Sequence, residues 1–257
     1  MEEPSGYFLQ SVQRAVAVLK SFTLEKPERG VSELSRELGL HKCTASRLMA
    51  TLEWGGLLSR DPTTDLYRLG VDFVGLAAQV VSHVDVRAVA QPVLRALAES
   101  CQETVDLVVM DAGQVINLDQ YVPPARRVRN IGAVGLRASP HCAAAGKVLL
   151  APLSAEELSR VVPAKLERFT PRTITDPQEF RQELARVREQ GYAIAQEELE
   201  GWLNVVAAPL VDHTGRVIAA ISIAGPAYRV SPELFPQLAI QLKDAAATIS
   251  RSLGYVG

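Results

Sequence analysis

The stretch Lys42-Cys43-Thr44-Ala45-Ser46-Arg47 carries two cations, two hydroxyls and a small apolar side chain within two helical turns. On one helix such a set reaches phosphate by charge, base edges by hydroxyl, and a thymine methyl by close approach of alanine. Lys42, Thr44, Ala45, Ser46 and Arg47 are therefore candidate contacts to double-stranded DNA. Any exposed helix also shows Lys, Ser and Arg, so the flanking elements must decide. Arg60 and Arg68 lie at the ends of two short strand patterns, where they face either phosphate and the minor groove or solvent.

Other residues invite chemistry and withstand it less well. Cys142 follows His141, but next-door side chains on a helix or strand point apart, and no Asn or Asp completes a recognised arrangement, so a thiolate nucleophile is not expected. Gly146-Lys147 lacks the glycine that a phosphate loop needs five residues earlier, where His141 stands. Pro140 to Lys147 reads instead as a helix N-terminus built of small residues, whose free backbone N–H groups suit a carboxylate. Arg126, Arg127 and Arg129 form a dense basic cluster between two strands, expected as a wet loop rather than the alternative, an anion clamp. Asn204 and Ser222 interrupt two apolar strands; period-two alternation puts Asn204 with Val206 and Ser222 with Ala220 and Ala224, which points to a pocket floor. Pro209 in the first of these strands marks an edge or a bulge.

The elements that would position these residues follow from periodicity. Val12, Ala15, Val16, Leu19 and Phe22 recur at helical spacing from Gln10 to Phe22, with Arg14 and Lys20 off the stripe. Ser32 is the expected N-cap of a short helix to Leu38; Gly39 stands where a left-handed residue is needed, Leu40 is an apolar plug, and a third helix with Leu48, Met49 and Leu52 ends at Gly55-Gly56. Strand patterns Leu57–Arg60 and Leu66–Leu69 complete a winged helix-turn-helix. An apolar helix from Gly70 to about Ser82 is expected to pack against a second copy of itself, and an amphipathic one follows from Val86 to Ser100 with Pro92 inside it. Two hairpins, Thr104–Met110 with Val115–Tyr121 and Asn204–Val211 with Val217–Ile223, frame helices at Ala143–Ala151, Ala155–Val161 and Pro177–Glu189 (N-cap Asp176), before a closing helix from Ser231 to about Leu253. The fold class is α+β, divided as residues 1–69 (winged helix-turn-helix), 70–84 (linker and dimerisation helix) and 85–257 (effector-binding).

Bulk properties bound the function. The 257 residues are 47% hydrophobic and 22% charged, and the longest apolar run, Val71 to Val84, is broken by Asp72, Gln79 and His83 well short of a ~20-residue span, so no membrane partner is expected. Met1-Glu2-Glu3-Pro4 has no basic stretch leading into an apolar core, which predicts a cytoplasmic protein. Cys43, Cys101 and Cys142 have no paired spacing; neither disulfide, metal nor cofactor is expected. With 27 Lys+Arg against 29 Asp+Glu the net charge is −2, so any DNA contact rests on a local patch.

With those residues in place, the chain resembles the IclR family of bacterial transcriptional regulators over nearly its whole length. "SVQRAVAVLKSF" is similar to the family's opening helix, "VSELSRELGLHKCTASRLMATLEWGGLLSRD" to its helix-turn-helix and wing entry, and "YRLG" to the wing's end. "HCAAAGKVLLA", "VREQGYAIAQEELEGWLNVVAAPLVDHTGRVIAAISIAGP" and the closing helix resemble its effector domain, related in shape to GAF sensors. The resemblance implies a homodimer or dimer of dimers on a palindromic operator, responding to a small organic acid. It places acid-binding backbone amides at Ala144 and Ala145, and polar contacts near Asn204 and at Ser222. Positions that are polar or thiol in some relatives are here Ala195, Val205 and Ala224, which implies a more apolar pocket and an aromatic or hydrophobic acid. Two competing readings remain at this level: a small-molecule-processing enzyme with an accessory winged helix, and an interaction module whose winged helix binds protein.

Overall fold

A computed structural model describes residues 9–23, 25–76, 85–124 and 133–256. Its contacts divide the chain into two units, Met1–His83 and Val84–Gly257. The basic cluster Arg126, Arg127 and Arg129, and the second half of the expected 70–82 helix, lie outside the described residues; 72–76 is helical.

The first unit holds α1 (Gln10–Lys20), α2 (Val31–Glu37), α3 (Lys42–Trp54) and an antiparallel hairpin, β1 (Leu58–Arg60) and β2 (Tyr67–Leu69). Val18, Leu34, Met49, Leu52, Leu58 and Tyr67 form its core. The packed stripe of α1 differs from expectation: Val18 is buried, whereas Val12 and Val16 are exposed. The N-cap of α2 is Gly30, not Ser32. Gly39 takes φ +62, which closes α2 and turns the chain into α3, and the Ser35 hydroxyl and carbonyl bond to both sides of Leu40 at 2.7 and 2.9 Å. Arg29, 1% exposed, is ion-paired with Glu33 and Glu37, and its backbone exchanges two hydrogen bonds with Tyr67. That bridge ties the wing to the entry of α2, and no spacing rule announced it.

The second unit is one six-stranded antiparallel sheet with helices on both faces. Its elements are α4 (Asp85–Cys101), β3 (Thr104–Asp111), β4 (Gln114–Tyr121), β5 (Arg137–Ala138), α5 (Ala144–Leu150), α6 (Ala155–Val161), α7 (Pro177–Gln190), β6 (Ala193–Gln196), β7 (Leu203–Val211), β8 (Val217–Pro226) and α8 (Phe235–Ser252), in strand order β5-β4-β3-β8-β7-β6. The β3–β4 turn runs through Ala112 and Gly113, both at positive φ, as a two-residue hairpin requires. Pro209 falls beyond the last residue of β7 that β6 pairs, and a register shift follows at Leu210/Val211, so the strand is both edge and bulge there. The closing helix begins later than expected: Pro232–Leu234 is a 3-10 turn, and α8 starts at Phe235 with Pro236 in its first turn.

Alternation divides the sheet. Val105, Leu107, Val206, Leu210, Ile221 and Ile223 point to the face covered by α4 and α8, where Ala90, Leu94, Leu238 and Leu242 meet them. Helix α4 continues through Pro92 although proline cannot donate to the preceding turn; burial of Val86, Ala90, Leu94 and Ala98 along one face holds it. The opposite face receives α5, with Val108, Ala193, Ala207 and Ala220 against Ala144, Ala145 and Val148. Gly146 makes this seating possible, because a Cβ there would lie 2.1 Å from the Pro140 carbonyl oxygen.

Lys147, fully buried, locks α5 in place. Its Nζ lies 2.6 Å from Glu198, 3.3 Å from Glu183 on α7 and 2.9 Å from the Ile194 carbonyl on β6. Desolvation pushes the Glu198 carboxyl up, and the Lys147 charge pulls it back. Removing one partner of a buried pair leaves the other uncompensated, so Lys147→Ala is expected to cost ~3 kcal/mol in urea denaturation. The double variant Lys147→Met/Glu198→Gln should recover most of that loss.

Candidate DNA-reading face and ligand cavity

The buried stripe of α3 is Ala45, Met49 and Leu52, spaced for one helix face. Ala45, 0% exposed, belongs to the core and not to a base contact, contrary to expectation. The opposite face shows Cys43, Ser46, Arg47 and Ala50, with Lys42 at the helix start and Thr44 half-buried at the margin. Cys43 and Ala50 were missed by reading residue type alone; the period opposite the core stripe identifies them. Lys42 and Arg47 have no ion-pair partner among the described residues, so both charges are available to phosphate. In the wing, Arg60 is paired with Asp65 at 2.9 Å and lies over the Tyr67 ring, whereas Arg68 is exposed without an ion pair among the described residues. Arg68 is the freer of the two candidates.

In the second unit a cavity of about 130 Å³ lies between the sheet and α5, lined by Asp106, Asn117, Ala144, Ala145, Val205 and Ser222 among others. Ala195 and Ala224 also line it. A larger groove of about 410 Å³ runs between α6 and α7, past Leu158, Leu166, Phe180 and Leu184 with Arg181 and Arg188 at its edge. No buried polar side chain lines that groove to orient a ligand, so the smaller cavity is the candidate site.

The sheet's alternation decides which predicted residues reach the cavity. Asp106 and Val108 on β3, Val205 on β7, and Ser222 and Ala224 on β8 share its face. Asn204 is on the other face with Val206 and does not line the cavity; its Nδ2 donates to the Val230 carbonyl at 2.8 Å. It is a buried anchor for the chain entering α8, and its expected ligand role is withdrawn. Ser222, 3% exposed, lies opposite Asp106 across the β3–β8 ladder.

Asp106 was not singled out in the sequence, because one acid in an apolar strand reads as an outward-facing residue. It is 7% exposed. Burial pushes its carboxyl up to about 6, against hydrogen bonds from Gln120 and Asn117 that favour the charged form. Both amides donate to Oδ1, at 2.8 and 2.9 Å. Cys142 also lines the cavity, but burial pushes its thiol up to about 12, which leaves it protonated at neutral pH. The His141 ring is held by the Glu167 carbonyl, 2.9 Å from Nε2. Among the described residues no group of His, Cys, Asp and Glu side chains is arranged to hold a metal, and no helix is long and apolar enough to cross a membrane.

Two family models match: the IclR helix-turn-helix domain over residues 11–62, and the bacterial transcriptional regulator IclR C-terminal domain over residues 78–251. The chain is 33% identical to the HTH-type transcriptional regulator KipR of Bacillus subtilis, over 96% of this chain and 98% of that one. It is also 33% identical to the HTH-type transcriptional repressor AllR of Klebsiella pneumoniae, over 98% and 93% of the two chains. Among solved structures, an IclR homologue from Microbacterium hydrocarbonoxydans complexed with 4-hydroxybenzoate superposes with a TM-score of 0.84 at 27% identity, covering 95% of this chain and 99% of that one.

The Asp106 carboxyl has a stability consequence. Its value in the fold, about 6, lies above the ordinary 3.8, so the folded state holds its proton more tightly than the unfolded state. Its contribution is thus fully present below about pH 4 and is lost as pH rises through about 6, by up to ~3 kcal/mol. Asp106→Asn should therefore raise the melting temperature at pH 7.5 and flatten the stability profile between pH 4 and 6; an unchanged profile would mean that the carboxyl is not desolvated.

Proposed function

We propose a ligand-responsive regulator from one premise: this chain belongs to the IclR family of bacterial transcriptional regulators. It binds a palindromic double-stranded DNA operator as a homodimer or dimer of dimers and senses a small organic acid, with an aromatic or hydrophobic body, in the cavity under α5. The observation that carries the DNA reading is the outward stripe of α3, where Ser46 and Arg47 stand opposite the core residues with Lys42 beside them. Arg68, and more weakly Arg60, add backbone contacts from the wing.

Dimerisation through the first unit is supported by apolar side chains left in solvent. Leu9, Val12 and Val16 on and before α1, and Val71, Val74 and Leu76 around the 72–76 helix, are each more than two-fifths exposed. Two copies so joined would set their α3 helices in successive major grooves, about 34 Å apart. Acid sensing is supported by the apolar walls of Val108, Val205 and Ala224, by the Ser222 hydroxyl, and by the backbone amides proposed at Ala144 and Ala145. The structural relative with 4-hydroxybenzoate bound points the same way. A response requires that the ligand bind one arrangement of the dimer better than the other. Turnover by Cys142 is disfavoured because its thiol stays protonated.

Arg47→Ala is expected to weaken operator binding about tenfold and to lower the slope of log affinity against log salt by about 1, as read by fluorescence anisotropy. Unchanged affinity would remove Arg47 from the contacts. Ser222→Phe fills the cavity and should abolish the ligand response while leaving DNA affinity intact; a normal response would move the pocket elsewhere.

A further inference from the structure

The side-chain polar atoms that the cavity leaves unengaged are able to accept hydrogen bonds. Asp106 Oδ1 takes both amide donors, and Oδ2 accepts no hydrogen bond among the described residues. Ser222 Oγ is engaged by no side chain or backbone group of the described residues and can accept as readily as donate. Glu200 adds a second carboxylate at the lining, and no Lys, Arg or His among the described residues lines the cavity. A ligand bearing negative charge alone would bring a further anion to this wall without a cation to meet it.

A carboxylate in this position lacks a structural explanation. Among the described residues it crosslinks nothing beyond the two amides on β4, and its burial works against the fold. Such a group persists where a bound partner supplies the missing interaction.

Resting on the reading of this cavity as the effector site, we propose that the ligand carries a protonated amine that seats on Asp106 Oδ2 with Ser222 Oγ, its neighbour across the β3–β8 ladder, so that the effector is an amine-bearing acid rather than a simple carboxylate. The Asp106 carboxylate and the Ser222 hydroxyl both accept from an ammonium's N–H donors, and charge-assisted bonds in a site shielded from water are the strong ones. The cavity volume limits the size: about 130 Å³ is close to the ~150 Å³ that admits one benzene ring, so the ligand's buried part is a single ring or a short chain.

The test is isothermal titration calorimetry of the full chain with straight-chain acids of three to six carbons. Each unsubstituted acid is set beside its ω-hydroxy and ω-amino counterparts, with benzoate, 4-hydroxybenzoate and benzylamine added. In the wild-type protein the amine of the best-fitting length should bind at least about tenfold tighter than its unsubstituted acid, and Asp106→Asn should erase that preference. Equal or tighter binding of the unsubstituted acid, or tightest binding of the hydroxyl counterpart, would overturn the amine assignment and leave the cavity as the effector site. If no compound bound, acids included, the assignment and the effector reading would both fall.

Discussion

The period-two alternation of β3, β7 and β8 is the constraint on which the second unit depends. Each strand must present one set of side chains to α4 and α8 and the other to α5, and a slip of one residue would exchange them. Because Leu107, Val206 and Ile221 fill the helix-covered face, Asp106, Val205 and Ser222 are committed to the other. The cavity is what remains on that face where small residues, Ala144, Ala195 and Ala224, fail to fill the space under α5. Lys147 and Gly146 hold the helix close enough to enclose it, one by charge and the other by the absence of a side chain.

The two units solve opposite electrostatic problems. In the first, Lys42 and Arg47 on α3 and Arg68 in the wing stay in water without ion-pair partners among the described residues, where they cost the fold little and remain available to an external polyanion. In the second, a carboxylate is taken out of water at the fold's expense. Stability is thus given up at the cavity and spared at the reading face, a pattern in keeping with binding energy being recovered from a small ligand that fits inside and from a large one that stays outside.

Much of this architecture was legible in the sequence. Gly39, the Gly55-Gly56 stop, Asp176 and the Asp-Ala-Gly hairpin are local signals, and each marks a real boundary because its physics is settled within a few residues. What failed was orientation. Ala45 looked like a reading residue because its size suits one, yet its register with Met49 and Leu52 puts it in the core. Asn204 shared a hairpin with Ser222, but facing is set by parity across the β7–β8 register, where Asn204 meets Gly225 and Ser222 meets Ala207. The burial of Arg29 and Lys147 had no signal in the sequence, since it is a product of tertiary packing: Arg29 is held by Glu33 and Glu37 on the next helix, and Lys147 by Glu183 and Glu198, 36 and 51 residues further along the chain. Asp106 escaped for the same reason, since the strands that bury it come from both ends of the unit.

The central claim is that one chain reads DNA with α3 and that a small molecule in the α5 cavity alters that reading. The most direct measurement is fluorescence anisotropy of the purified protein on duplexes selected from a genomic pool, against scrambled duplexes, at 50 and 200 mM salt, with and without a ligand that calorimetry shows to bind. The account predicts sequence-selective binding that falls steeply with salt and shifts when the ligand is added, with the shift lost in Ser222→Phe. Binding that is equally weak on selected and scrambled duplexes, insensitive to salt and indifferent to the ligand, would contradict it.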